Sequence, residues 1–186
     1  MKLLLAVLVT APIAVAAQDR PPVVPTRDVD VTYQSKPAGP PSAGTLPAGS
    51  PIEQRTRFSA SMQRTRLDLP TPGLFSIMDY RTRTMSLVSV ADRKVLQTTG
   101  PATPPRPDYV RRGQDQVAGL ACTEWEVRDN VGQPALTCFT PDGVMLRVRR
   151  GDQVMAIATR VVYAPQDAAL FDVPADFDRV QRRPSP

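Results

Sequence analysis

The sequence predicts a mostly β chain: a curved antiparallel sheet forming an open or partial barrel, with little helix apart from the N-terminal segment. Three observations carry that expectation. Almost no stretch repeats apolar residues at the helical period, whereas short segments alternate apolar and polar side chains at period two. Turn residues separate these segments, among them Asp142-Gly143 and Gly151-Asp152, which supply the positive φ of tight hairpins. Proline, at 21 of 186 residues, clusters at 36–51 and 100–107, where neither helix nor central strand can form. A two-sheet sandwich would satisfy the same spacing.

Taken in order, residues 1–17 read as a cleavable secretory signal peptide. Lys2 gives the positive charge, residues 3–14 an apolar run broken only by Thr10 and Pro12, and Ala14-Val15-Ala16-Ala17 the small residues before the cut. The run is shorter than the roughly 20 residues of a membrane span. No cysteine lies nearby, so a lipid-anchored lipoprotein is not expected. Residues 18–52 should hold one strand, in which Val29, Val31 and Tyr33 alternate with Asp30 and Thr32, and a flexible Pro/Gly-rich loop. The β domain is expected over 53–180, and 181–186 as a disordered tail.

Within that domain, Thr56, Phe58, Ala60 and Met62, then Thr65, Leu67 and Leu69, alternate with arginines and other polar residues. They read as neighbouring antiparallel strands with arginines on the wet face. Residues 74–80 and 84–90 form a hairpin around Arg81-Thr82-Arg83, and 94–98 a short strand. From Val117 onward, strands are expected at 121–128, 134–140, 144–149 and 154–163, giving eight to ten in all. Both faces of the last are largely apolar, which suggests cover on both sides. Pro165 to Leu170 can form one helical turn capped by Asp167, and Phe171, Val173 and Phe177 carry apolar groups into a final segment.

The two cysteines, Cys122 and Cys138, are expected to form a disulfide, the default state after export. A hairpin turning around Asn130 would set them directly across two antiparallel strands. The same register puts Glu124 opposite Leu136 and Trp125 opposite Ala135, with Trp125 and Phe139 facing the core. Sixteen positions apart and without histidine, the pair suits a structural staple better than a redox centre.

Histidine is absent throughout, which excludes Ser-His-Asp and Cys-His catalysis and histidine-ligated metal sites. No glycine-rich phosphate loop or nucleotide fingerprint is present, so no cofactor or metal is implied. Asp79, Asp92, Glu124, Glu126 and Asp142 leave open a carboxylate-based hydrolase, because such acids meet in space rather than in sequence. The formal net charge is +5, almost all of it arginine. An exported chain with no recognition motif makes nucleic acid an unsuitable partner, and anionic lipid head groups the alternative to a merely solvated surface.

From Arg111 on, Val117-Ala118-Gly119, Cys122-Thr123-Glu124-Trp125-Glu126-Val127, Thr140-Pro141-Asp142-Gly143-Val144 and Pro165-Gln166-Asp167 through Phe171, Val173-Pro174-Ala175 and Val180 form a pattern. With residues 74–87, it resembles that of uncharacterised bacterial exported proteins similar in shape to periplasmic lipoprotein carriers and outer-membrane lipoprotein receptors. The resemblance covers roughly 53–180. It implies a half-barrel whose concave apolar face holds acyl chains beneath helical lids, although no long helix is evident here. The expectation is a non-catalytic, soluble periplasmic or secreted binding module without a transmembrane segment. A lipid or lipoprotein ligand would be held by Phe58, Leu67, Met78, Leu87, Trp125, Ile157 and Val161. The alternative is a structural or protein-interaction module for an envelope protein, without a ligand cavity.

Overall fold

The computed structural model describes residues 20–36, 51–101, 107–128 and 134–182. The expected signal peptide, most of both proline-rich loops, the turn around Asn130 and the last four residues of the tail lie outside the described residues.

Alternation at period two produces strands wherever it was expected. These are β1 (Val29–Ser35), β2 (Ile52–Ser59), β3 (Arg64–Asp68), β4 (Leu74–Asp79), β5 (Thr84–Ser89) and β6 (Lys94–Thr99). They are followed by β7 (Asp108–Val117), β8 (Leu120–Arg128), β9 (Ala135–Phe139), β10 (Met145–Arg150), β11 (Gln153–Val162) and β12 (Asp178–Arg182). All belong to one 12-stranded sheet in the order β12-β6-β5-β4-β3-β2-β1-β11-β10-β9-β8-β7. The count exceeds the expected eight to ten because β7 and β12, the two edges, carry little apolar alternation. β12 also runs parallel to β6, so the sheet is not wholly antiparallel.

Short hairpins build the β2–β6 wing. The loops before β3, β5 and β6 each end on a residue with positive φ: Gln63, Arg83 and Arg93. In the second loop, Asp79 accepts from the amides of Arg81 and Thr82 at 3.0 Å each, holding the turn that its sequence announces.

The sheet is open but curved. β7 lies four strands from β11 in the sheet order, yet the two come into contact, so this end is rolled. Inside sits the main core, with Val29, Val31, Tyr33, Phe58, Val144, Leu146 and Ala158 buried together with both cysteines. A second core lies on one face of the wing: Phe75, Ile77, Val88 and Val95, covered by Val173 and Phe177. The helical content among the described residues is the 3-10 turn Ala168–Phe171, where Asp167 accepts from the Ala169 amide as an N-cap and Phe171 is fully buried. β11 corrects one expectation. A bulge opposite Thr32/Tyr33 interrupts its alternation, and Thr159 and Arg160 are exposed, so it is not covered along both faces.

Cys122 and Cys138 are joined, with Cα atoms 5.6 Å apart. The register differs from the expected one: Glu124 faces Cys138 and Trp125 faces Thr137, so the bridge runs diagonally. Moving the turn centre by one residue shifts every pairing by two positions, which preserves the faces. Trp125 and Phe139 accordingly still share a side and both are buried, but it is the cysteines, on the opposite parity, that join the main core.

An N-terminal strap, residues 20–28, crosses one end of the rolled core. Asp28 receives the Ala60 amide at 2.7 Å and the Gln166 amide at 2.9 Å, joining the strap to two distant loops. Thr26 donates its amide to the Asp142 carbonyl, while Arg27 pairs with the Asp142 carboxylate at 3.0 Å and covers the Tyr163 ring at 4.0 Å. Gly143 is required at this crossing. Its φ is +93°, and a Cβ there would stand 2.5 Å from the Val24 carbonyl oxygen.

Two outcomes follow from these contacts. Replacing both cysteines by alanine should lower the unfolding free energy by about 3 kcal/mol or more, read from urea midpoints, because a loop of this length is no longer closed. Gly143→Ala should cost roughly 1–3 kcal/mol through a clash at positive φ. It should also accelerate tryptic cleavage after Arg27, whereas an undisturbed strap would be cut at the wild-type rate.

Candidate functional site

β4 and β5 show which face of the wing is covered. Phe75, Ile77 and Asp79, with Ser86 and Val88, are buried on the side under the C-terminal segment. The alternate residues Leu74, Ser76, Met78 and Leu87 are half-buried, and Met85 is 42% exposed. Among the described residues, no element lies across this second face.

Strand register makes the uncovered face a continuous apolar band. Val31, Thr56, Leu67, Ser76, Leu87, Leu96 and Val180 stand side by side across β1, β2, β3, β4, β5, β6 and β12. A second row runs Val29, Phe58, Thr65, Met78, Met85 and Thr98. At β1 and β2 these rows pass into the main core, and toward β12 they open to solvent, ending at Val180, 53% exposed. From β1 to β6 the polar members are small hydroxyls without formal charge, and the second row meets Arg182 only at β12.

Where the band meets the core, a cavity of about 160 Å³ lies under the strap, with Val23, Pro25 and Val144 above Val31, Phe58 and Tyr80. Tyr80 packs edge-on against Phe58 at 6.2 Å between ring centroids, and Thr65 donates to its hydroxyl at 3.3 Å.

Of the residues that sequence reasoning selected, Phe58, Leu67, Met78 and Leu87 share this face. Val161 joins them beside Val31. Ile157 pairs with Gln34, outside these rows, and packs against the main core. Trp125 is distant, on β8, edge-on to Tyr109 at 6.5 Å. Sequence reasoning missed Leu74, Tyr80, Met85, Leu96 and Val180. The period-two parity of 74–80 and 84–90 was available to find the first three, because Met85 and Leu74 alternate in step with Leu87 and Met78.

The opposite face carries the arginines, and here the expectation of a wet face is corrected. Arg57 and Arg66 are only 12% and 19% exposed in their side chains. Arg57 pairs with Asp30 and Asp68, and Arg66 with Asp68. Arg66 also stacks on Phe75 at 3.7 Å and donates to the Leu170 carbonyl at 2.8 Å. The guanidiniums thus serve as packing as well as charge. Arg55 donates to Asp30, and this bond, with Arg57 and Arg160 nearby, holds the Asp30 carboxyl below its ordinary range against the opposing effect of burial.

The other acids are engaged in turns and ion pairs. Asp79 takes Arg64 at 2.8 Å; burial raises its pKa, but the Thr82 amide and Arg64 outweigh that and leave it lowered. Asp92 accepts from Ser89, Glu124 pairs with Arg147 and Arg149, and Glu126 with Arg112 and Arg128. Asp142 receives Arg27, Tyr163 and Thr140. No group of three His, Cys, Asp or Glu side chains suited to a metal occurs among the described residues.

No protein-family model and no curated protein sequence matches the chain. Solved structures with a similar fold exist. An uncharacterized conserved protein from Thermus thermophilus superposes at TM-score 0.58 with 13% identity, over 84% of this chain and 91% of that one. MucB superposes at 0.50 with 16% identity, over 84% of this chain and 60% of its own, so the chain spans less than two thirds of MucB. MucB in complex with MucA(peri) superposes at 0.51 with 18% identity, over 85% and 58%.

Asp30 generates a pH expectation. Its folded pKa lies below the unfolded value, so its contribution is complete above the unfolded pKa and is lost as pH falls through the lower folded one. Asp30→Asn should be less stable than wild type at neutral pH. The difference should narrow below about pH 4, measured by urea unfolding at stepped pH. A gap that stays constant on acidification would exclude the ion pair as its source.

Proposed function

We propose that the chain is a non-catalytic, exported binding module of the cell envelope that holds a hydrophobic group, an acyl chain in its simplest form, along the uncovered face of β2–β6. The observation that supports it best is the row from Leu67 on β3 through Ser76, Leu87 and Leu96 to Val180 on β12, apolar but for one small hydroxyl, with nothing across it among the described residues. Water-exposed apolar surface costs about 25 cal/mol per Å², so a band of half-buried leucines and methionines gains from an occupant. At roughly 4.8 Å per strand, the row from Thr56 to Val180 spans about 24 Å. That length exceeds the roughly 15 Å that one acyl chain occupies as half of a ~30 Å bilayer core.

The 160 Å³ cavity is smaller than the usual ~300–1,000 Å³ of an enclosed ligand site. It suits the end of a chain lying on the sheet, anchored between the strap and Tyr80. Export rests on residues 1–17, and the paired cysteines accord with an oxidising compartment. A second reading has its own support: a protein of similar fold, MucB, has been solved with a protein partner. In that reading, an apolar segment of an envelope protein occupies the same band.

The test uses the mature chain and displacement of a fluorescent fatty-acid analogue by palmitate. Saturable binding is expected, weakened about tenfold or more by Leu87→Glu, which places a charge in the middle of the band. Val110→Glu on β7 should bind as wild type. Absence of saturable binding, or equal effects of the two substitutions, would refute the acyl-chain reading. Crosslinking from position 87 to an envelope protein in intact cells would then favour the second.

A further inference from the structure

A second opening, about 420 Å³, lies on the arginine-bearing face of the wing, between the sheet and the segment that follows the 3-10 turn. Two cross-strand rows form its floor. Arg64, Asp79 and Thr84 stand in one, and Ile77, Ser86 and Gln97 in the next. Asp172 and Val173 form a wall, and Arg179 of β12 lines the rim. The volume falls in the ~300–1,000 Å³ range of small-ligand sites, and the lining is mostly polar.

Hydrogen-bond accounting shows what this lining leaves uncommitted. The Asp79 carboxylate is taken by Arg64 Nε and by the amides of Arg81 and Thr82. Arg64 uses only Nε for that bond and has no other acceptor among the described residues. Arg179 has none. Ser86, 4% exposed, accepts Gln97 Nε2 at 3.2 Å and keeps its own hydroxyl proton for another partner. The Gln97 carbonyl oxygen and the Asp172 carboxylate accept no hydrogen bond among the described residues. Two guanidiniums and a hydroxyl therefore face the same space as two unused acceptors, with Ile77 and Val173 as apolar patches.

Guanidinium forks match the planar or tetrahedral oxygens of carboxylate and phosphate, whereas a side-chain amide and a carboxylate accept hydroxyl protons. We infer that this cleft binds a small hydroxylated oxyanion, a sugar acid or sugar phosphate. Its anionic group sits on Arg179 at the rim, its hydroxyls on Gln97, Ser86 and Asp172, and its C–H face against Ile77 and Val173, with Arg64 closing the far end of the floor. The site is separate from the apolar band, being on the other side of the same strands, and it stands whether or not that band holds an acyl chain.

The experiment is an amide NMR titration of the mature chain with glucuronate, glucose 6-phosphate, inorganic phosphate and glucose. Saturable movement of the Gln97 side-chain amide and the Thr84 and Ser86 backbone amides is expected with glucuronate or glucose 6-phosphate. The stronger of the two identifies carboxylate or phosphate as the recognised anion. Arg179→Gln, at an exposed position, should weaken that binding about tenfold with an unchanged melting temperature and unchanged fatty-acid displacement. No saturable movement with any probe would overturn the site. Equal affinity for Arg179→Gln and wild type would overturn the anion's placement. Inorganic phosphate binding as tightly as glucose 6-phosphate would overturn recognition of the polyol.

Discussion

The packing of residues 168–177 onto Phe75, Ile77, Val88 and Val95 is the contact on which the wing depends. A single sheet has two faces and needs cover for at least one of them. Here the cover is a short C-terminal segment anchored at both ends: Phe171 is buried completely, and β12 then adds to β6 in parallel. Arg93 fastens the segment between, pairing with Asp176 at 2.7 Å and lying over Phe177 at 5.1 Å. The exposed ion pair adds little stability, and the Asp178 amide donates to the Arg93 carbonyl where the strand begins. Once that face is closed, the two-residue period leaves the alternate set of side chains uncovered, and this set too is largely apolar.

Arginine has a corresponding role beneath the segment. A lysine at position 66 could reach Asp68, but it could not also present a flat surface to Phe75 and donate to Leu170. Chains of arginine and aspartate continue along β1, β2 and β3 through Asp30, Arg55, Arg57 and Asp68. Each of these arginines is balanced by an aspartate, so the +5 excess of the sequence is carried by cations outside these chains. Fewer arginines are open to a partner than the sequence contains, and Arg179 counts for more because it has no paired acid among the described residues.

The β class and most strand positions were legible because alternation and turn chemistry act locally. Asp79, the turn residues 81–83 and the pair 142–143 announce their hairpins within a few residues of themselves. What covers what was not legible. Residues 171–177 pack on strands some 80–100 positions earlier, and nothing in either stretch names the other. The edges were hidden for a different reason. β7 needs no apolar stripe, since its outward side chains remain in water, and β12 has Val180 as its sole aliphatic residue. Leu67, Met78 and Leu87 were found as apolar residues, but the same letters describe a core and an open band. Only the missing cover distinguishes them, and cover is a tertiary fact.

The rolled end and the wing divide the work of the sheet. The disulfide, the strap and the main core all lie at the rolled end, where Asp28 and Asp142 each tie several segments together. The wing is a single layer of short hairpins with one light cover, the kind of region that opens at lower free energy than a closed core. An occupant of either face adds RT ln(1 + [L]/Kd) to the stability of whatever it binds. Bound to the wing, that increment falls on the least protected strands, and β4, β5 and β6 line both the apolar band and the polar cleft. The two openings therefore share a scaffold without sharing a side chain: parity sends Met78 and Leu87 to one and Ile77 and Ser86 to the other.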